Sequence, residues 1–233
     1  MENHPPPDSV VRLHNPLKSC FVLIMCNDFR NPYTREQILN AFEAIADLGN
    51  NQPTQSELFP NYPAMVVRVQ DGKRAVSNAR WGLPSPPVAL TGKVDRGVTN
   101  VRNTSSPHWR RWFGPTYRCI VPFGSFAEPT KLSDGTSGND WFAIDETEPL
   151  VAFAGIYVPQ WKSIRKLKDG ETVDDLFAFL TTEPNAEVKP IHPKAMPVIL
   201  TQPEEWQTWL TADWDEAKKL QRPRRWDAKK HSA

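Results

Sequence analysis

Between residues 117 and 200 the chain is cut into short apolar runs, at 117–126, 140–145, 150–158, 176–181 and 196–200, each of strand length and each followed by polar or proline-containing segments. None of these runs is long enough to form a layer alone, so they must share a sheet. Upstream, residues 64–69 and 74–81 flank Asp71-Gly72, the dipeptide that suits a tight hairpin between alternating strands. Many short strands and few helices imply an α+β chain built on a curved antiparallel sheet or barrel, flanked by a few helices.

The helical signals are local. Thr34-Arg35-Glu36-Gln37 has the form of a capping box, and Ile38, Phe42, Ile45 and Ala46 follow at helical spacing until Gly49, which predicts an amphipathic helix over 34–48. Residues 203–210 and 213–220 read as two short helices, the first opened by Pro203. Residues 50–63 read as a loop and the charged segment 162–175 as an exposed insertion. Pro5-Pro6-Pro7 and Asn15-Pro16 are breaker chemistry, so residues 1–25 are expected to be an extension, from a start assigned too early or a removed leader. The folded domain is expected to span 26–222, with a basic tail over 223–233.

A net charge of +1 argues against wholesale coating of nucleic acid and directs attention to local charge. The cysteines Cys20, Cys26 and Cys119 are odd in number and lack CxxC spacing, which fits a reducing, cytoplasmic compartment. No apolar run approaches membrane-spanning length, and the five histidines are never at metal-ligand spacing, so neither a membrane partner, a metal nor a cofactor is expected. The expected assembly is a monomer. Glycine-rich phosphate loops, Gly-x-Ser-x-Gly elbows and HExxH helices do not occur.

Chemistry is carried by scattered residues. Cys26 follows Met25 directly; as a chain-terminal residue it would offer a thiol and an α-amine, with ordinary pKa values of about 8.5 and about 7.7–8.0, on adjacent carbons. Such a pair captures an aldehyde, the amine as a Schiff base and the thiol by closing a thiazolidine. An isolated cysteine is more often a small buried hydrophobe. Glu128 closes an apolar run in which a carboxylate is costly without a partner, and His192 sits among Pro190, Pro193 and Pro197. Taken singly, Asn100, Glu128 and His192 are better accounted for by turn, salt-bridge and loop roles. From 96 to 118, Arg96, Arg102, Arg110, Arg111 and Arg118 occur without a carboxylate and with Trp109 and Trp112 interleaved. That stretch suits either a phosphate groove with stacking surfaces or a solvated face with tryptophans in the core.

Met25-Cys26-Asn27, Ala79-Arg80-Trp81-Gly82-Leu83, Asn100-Val101-Arg102, Arg118-Cys119-Ile120-Val121-Pro122, Phe126-Ala127-Glu128, Phe153-Ala154-Gly155, Thr181-Thr182 with Asn185, and His192 before Met196-Pro197-Val198-Ile199-Leu200 occur in that order. Together they closely resemble the SRAP family, the SOS response-associated peptidases, over about 26–210. The resemblance implies covalent attachment to abasic sites in single-stranded DNA and a linked self-processing peptidase activity. It implies catalytic roles for Cys26, for Asn100 near the terminal amine, for Glu128 as a proton shuttle and for His192 as a general acid/base at the sugar. It implies DNA contacts for Arg102, a stacking role for Trp81 and a charge at Lys194, while Arg30, as a substitute for the arginine missing at Asp28, and Arg110, from the Arg/Trp stretch, are further contact candidates. The chain departs from the better-known branch at Asp28 and Lys194, where that branch has arginine, at Pro129, where it has tryptophan, and at Thr104, where it has glutamate. A non-covalent single-stranded DNA-binding module with Cys26 blocked, or a Cys26/His192 thiol hydrolase, are the competing readings.

Overall fold

The computed structural model describes the backbone of residues 11–14 and, with side chains, residues 27–48, 55–131 and 134–224. Cys26, most of the 1–25 extension and the tail from 225 onward lie outside the described residues.

In chain order, β1 (Val11–His14) and β2 (Asp28–Arg30) precede α1 (Arg35–Ala41), whose start follows from its side chains. Thr34 Oγ1 accepts from the Gln37 amide at 3.2 Å and Gln37 Oε1 accepts from the Thr34 amide at 2.8 Å, closing the capping box. The helix ends seven residues before the predicted limit. Glu43 takes a positive φ of 50°, and the Ile45 and Leu48 amides then donate to the Arg74 and Val76 carbonyls, so the chain enters the sheet as β3 (Ala46–Asp47). Ile38 and Phe42 are buried as the spacing predicts, but Ile45 is 70% exposed because the sheet edge has taken its backbone.

After β4 (Glu57–Leu58), β5 (Pro63–Gln70) and β6 (Lys73–Trp81) form the hairpin predicted around Asp71-Gly72. Both turn residues have positive φ, 52° and 74°, the combination that matches the twist of the flanking strands. Then come β7 (Asn100–Val101), α2 (Pro107–Arg110), β8 (Arg118–Phe123), β9 (Ser125–Lys131) and β10 (Ser137–Ala143). The long strands β11 (Val151–Ser163) and β12 (Thr172–Thr182) follow, then β13 (Met196–Pro197), β14 (Ile199–Leu200), α3 (Pro203–Thr211) and α4 (Trp214–Ala217).

The segment 162–175 is not an insertion. Its ends extend β11 and β12, with Lys162 opposite Val173 and Ser163 opposite Thr172. Within it Arg165 is buried, donating to the carbonyls of Asp95 at 3.2 Å and Gly82 at 2.8 Å. Charge alone made the segment look solvated; a guanidinium that satisfies backbone carbonyls can be enclosed.

The strands β12, β11, β8, β5 and β6 lie side by side in that order, and β6 pairs in parallel with β12, closing a five-stranded barrel. A second sheet has the order β1, β10, β9, β2, β4. Alternate residues of the barrel strands feed two cores. Val67, Ile120, Ile156 and Leu180 pack with Ile38 and Phe42 of α1 and Trp206 and Trp209 of α3. Val66, Val121, Phe153 and Phe179 pack with Phe29, Phe126 and Phe142 of the second sheet. The fold is the sheet-dominated α+β arrangement expected from the strand pattern.

One contact pins α3 to the barrel. The Trp209 indole N–H is shared between the carbonyls of Cys119 at 2.9 Å and Gly155 at 3.1 Å, which face each other across β8 and β11. A Cβ on Gly155 would lie 2.7 Å from Cys119 Sγ and 3.1 Å from Val121 Cγ2. Gly155→Ala is therefore expected to destabilise the protein by about 1–3 kcal/mol, the usual scale of overpacking. Urea unfolding checks this, and pairing it with Cys119→Ala should restore part of the loss. No helix among the described residues is long and apolar enough to cross a membrane.

Candidate functional site

Glu128 and Phe126 alternate on β9 and so face the same side of the second sheet, toward the aromatic core. Phe126 belongs there; a carboxyl at 0% exposure needs a reason. His192 supplies one, its Nδ1 lying 3.3 Å from Glu128 Oε2. The ring is delivered by a compact turn in which the His192 amide donates to the Val188 carbonyl at 2.8 Å. Asn185 braces that turn, its Oδ1 accepting from the Val188 amide at 3.0 Å.

Burial pushes the Glu128 carboxyl above its usual range, against the pull of His192. The Glu128 carboxyl in turn raises His192 against the effect of its own burial. The carboxyl and the ring are therefore coupled, each displaced upward from its ordinary range. Neither Glu128 oxygen has a hydrogen-bond donor at bonding geometry among the described residues. Two acceptor oxygens are thus enclosed beside a titratable ring, an arrangement suited to moving protons at a substrate.

The strand that follows Cys26 runs beside this carboxyl. β2 pairs antiparallel with β9, Phe29 opposite Phe126 and Asp28 opposite Ala127, and one further step of that register sets Asn27 level with Glu128. Asn27 is also tied to Asn100. The Asn100 amide donates to Thr99 Oγ1 at 3.0 Å, and that hydroxyl donates to Asn27 Oδ1 at 3.1 Å. Asn100 is held in place by β7 pairing with β12, opposite Phe179. Three of the predicted catalytic residues, Asn100, Glu128 and His192, thus stand on elements packed around the first described residue after Cys26.

The DNA-contact candidates divide. Arg102 reaches the surface and pairs with Glu183, Nη2 to Oε1 at 2.6 Å. Lys194 is exposed two residues beyond His192, and Arg110 is exposed at the end of α2, its Nη2 3.4 Å from the Ser105 carbonyl. Arg30 lies on the face of the second sheet opposite Glu128, its guanidinium 3.7 Å over the Trp141 ring and 3.5 Å from Glu57. Trp81 offers no stacking surface. It is 1% exposed, packed edge-on to Phe29 at 5.1 Å, and its indole N–H donates to the Thr99 carbonyl at 3.0 Å. Strand alternation explains the correction, since Ala79 and Trp81 share the core-facing side of β6.

The Arg/Trp stretch is no single groove either. Trp109, Trp112 and Arg118 are all buried, and Arg118 donates to the Ala212 carbonyl. Thr99 was missed as a site residue, since nothing in the sequence marks its hydroxyl apart from its position beside Asn100. Arg224, assigned to a loose tail, is buried. The described residues hold no cluster of His, Cys, Asp and Glu arranged for a metal ion.

Asp28 adds an electrostatic feature. Burial, then the neighbouring Glu57, push its carboxyl up to about 7, while Arg30 pulls it down. The folded state therefore keeps a proton that an unfolded aspartate, near 3.8, has released, and stability falls as pH rises through that window. Asp28→Asn should remove this slope. Melting temperatures of the two proteins compared across the window should diverge in favour of the variant as pH rises.

Comparison with known proteins follows the same lines. The sequence profile of the family described as SOS response associated peptidase (SRAP) matches residues 25–231, beginning directly before Cys26. A solved protein from Bacteroides thetaiotaomicron is similar at 22% identity and TM-score 0.66, covering 88% of this chain and 89% of its own. One from Bordetella bronchiseptica has 19% identity and TM-score 0.60, covering 83% and 92%. A phage-related protein from the same organism has 18% identity and TM-score 0.54, covering 84% and 87%. A search of curated proteins gives no significant match.

Proposed function

Because the chain belongs to the SOS response-associated peptidase family, we propose that it is an abasic-site sensor that couples covalently to single-stranded DNA through Cys26. The observation that carries this reading is the buried Glu128–His192 pair, 3.3 Å apart, beside the strand that continues from Cys26. A coupled acid/base pair at that place suits the proton transfers of Schiff-base chemistry on a terminal amine.

In the proposed reaction the Cys26 amine attacks C1′ of the open-chain abasic sugar, and the nitrogen passes a proton to the carbonyl oxygen. The resulting hydroxyl leaves as water when Glu128 or His192 protonates it, giving an imine. The Cys26 thiol then adds to the imine carbon, its proton passing to nitrogen, and the thiazolidine closes with net loss of one water. Asn100, through Thr99 and Asn27, orients the backbone that carries the amine. His192 is the acid that assists sugar ring opening. Arg102, Lys194 and Arg110 hold the strand by its phosphates.

An amide nitrogen is not a useful nucleophile, so the reacting form must carry Cys26 as its first residue. Hydrolysis of the Met25–Cys26 bond, with Glu128 handling the proton, is the peptidase half of the same assignment. Intact mass before and after incubation with single-stranded DNA bearing one abasic site tests both halves. The expected result is a protein beginning at Cys26 that gains the oligonucleotide less one water. A protein that retains residues before Cys26, binds the same DNA and gains no mass would instead be a non-covalent binding module.

A further inference from the structure

Arg102, two residues beyond Asn100, does not present a bare guanidinium to solvent. Arg102 follows β7, which pairs with β12 so that Asn100 stands opposite Phe179 and Val101 opposite Leu180. Arg102 and Glu183 therefore emerge side by side, just beyond the paired ends of the two strands. Gln221 clamps this end, its amide donating to the Arg102 carbonyl at 2.9 Å and the Thr181 carbonyl at 3.0 Å. With both backbones fixed, Glu183 Oε1 meets Arg102 Nη2 at 2.6 Å, and Thr182 Oγ1 supports the other carboxylate oxygen at 3.3 Å.

A carboxylate offers a guanidinium the same pair of acceptor oxygens that a phosphate offers. Hydrogen bonding to its own backbone amide and the Arg102 charge hold the Glu183 carboxyl below the usual range, so it stays ionised through neutral pH. Its side chain is 72% exposed, against 36% for Arg102, so Glu183 can swing into water, while the enclosed Nη1 of Arg102 leaves Nη2 as the nitrogen contested between carboxylate and phosphate. We propose that Glu183 occupies the position on Arg102 that a DNA phosphate takes, and so sets the protein's affinity for single-stranded backbone. This rests on the assignment of Arg102 as a phosphate contact. An exposed ion pair of this kind is weak, so Glu183 is a competitor to be displaced and not a lock. Its effect falls on every stretch of single strand, damaged or not. Undamaged strand is released readily, while a lesion is retained by its covalent bond.

The test is fluorescence anisotropy of a single-stranded oligonucleotide without an abasic site, over a series of salt concentrations. Glu183→Gln should tighten binding by about threefold to fivefold, the scale of one exposed pair. It should also steepen the salt dependence by up to about 0.7 in log–log slope, because a phosphate no longer replaces an internal anion. Arg102→Ala should weaken binding, and adding Glu183→Gln to it should then change nothing. Unchanged or weaker binding by Glu183→Gln, with Arg102→Ala still weakened, overturns the proposal while leaving the Arg102 assignment intact. Tightening that persists in the double variant also overturns it, as a general charge effect. Unchanged binding by Arg102→Ala removes the phosphate contact itself and the proposal with it. Both side chains lie at the surface, and melting temperatures close to that of the parent protein verify that the variants fold.

Discussion

Cys26→Ala should abolish the stable thiazolidine adduct completely while leaving non-covalent binding of single-stranded DNA within about twofold of the parent. The expected loss is total because no other group offers the same pair of nucleophiles. Cys119, the free cysteine among the described residues, is buried against Gly155 and its thiol is pushed far above neutral pH by that burial. It has neither an α-amine nor access to substrate. Cys26→Ser is the closer isostere, and both variants keep the α-amine at position 26 and lose only the thiol. Each should form an imine that borohydride traps but that hydrolyses otherwise. Denaturing gels with and without borohydride separate the cases. A full-strength adduct from Cys26→Ala without borohydride would remove Cys26 from the chemistry.

Glu128→Gln carries the second-largest expected effect, a fall of roughly 10²–10³-fold in the rate of adduct formation, within the usual range for loss of a positioned acid/base group. The amide keeps the shape and the polarity but holds no transferable proton. His192 should respond as well, since the carboxyl that raises it is gone. Its titration, followed by ring proton chemical shifts, should move down in pH in Glu128→Gln. His192→Gln should slow the reaction less than additively with Glu128→Gln, because the two act as a unit. Unchanged adduct rates in Glu128→Gln, with His192 titrating as before, would break the assignment of the pair.

What the sequence discloses here follows the range of the interaction involved. The Thr34–Gln37 capping box and the Asp71-Gly72 turn are local bargains between neighbours, and both are found as read. Ile45 was misplaced because the helical period runs through it while the backbone is claimed by β6, a partner that helix propensity does not register. Arg165 was placed in solvent by its charge, yet three polar groups of residues 82 and 95 and Ser163 enclose it. At the site, the resemblance named Asn100, Glu128 and His192 together, but nothing local sets Glu128 beside a histidine 64 positions later. Thr99, the hydroxyl linking Asn100 to Asn27, has no signature of its own. Trp81 carried one, in Arg80-Trp81-Gly82, and alternation along β6 turned its ring inward.

The parallel seam between β6 and β12, Leu176 opposite Arg80 and Phe177 opposite Trp81, bears on how the protein acquires its activity. These partners are separated by nearly a hundred residues, and every intervening strand must be laid down before they can meet. Chain-closure entropy is spent on that contact before any reward is returned, so folding should be slow for a chain of this size. Asn100 and Val101 add to β12 in the same parallel sense, opposite Phe179 and Leu180. Asn100, proposed to orient the reacting backbone, is thus placed by a strand completed late in synthesis. On the proposed reading, a nascent chain that has exposed Cys26 lacks the asparagine and the acid/base pair that would speed its reaction until the C-terminal third has arrived, so efficient coupling waits for the whole domain.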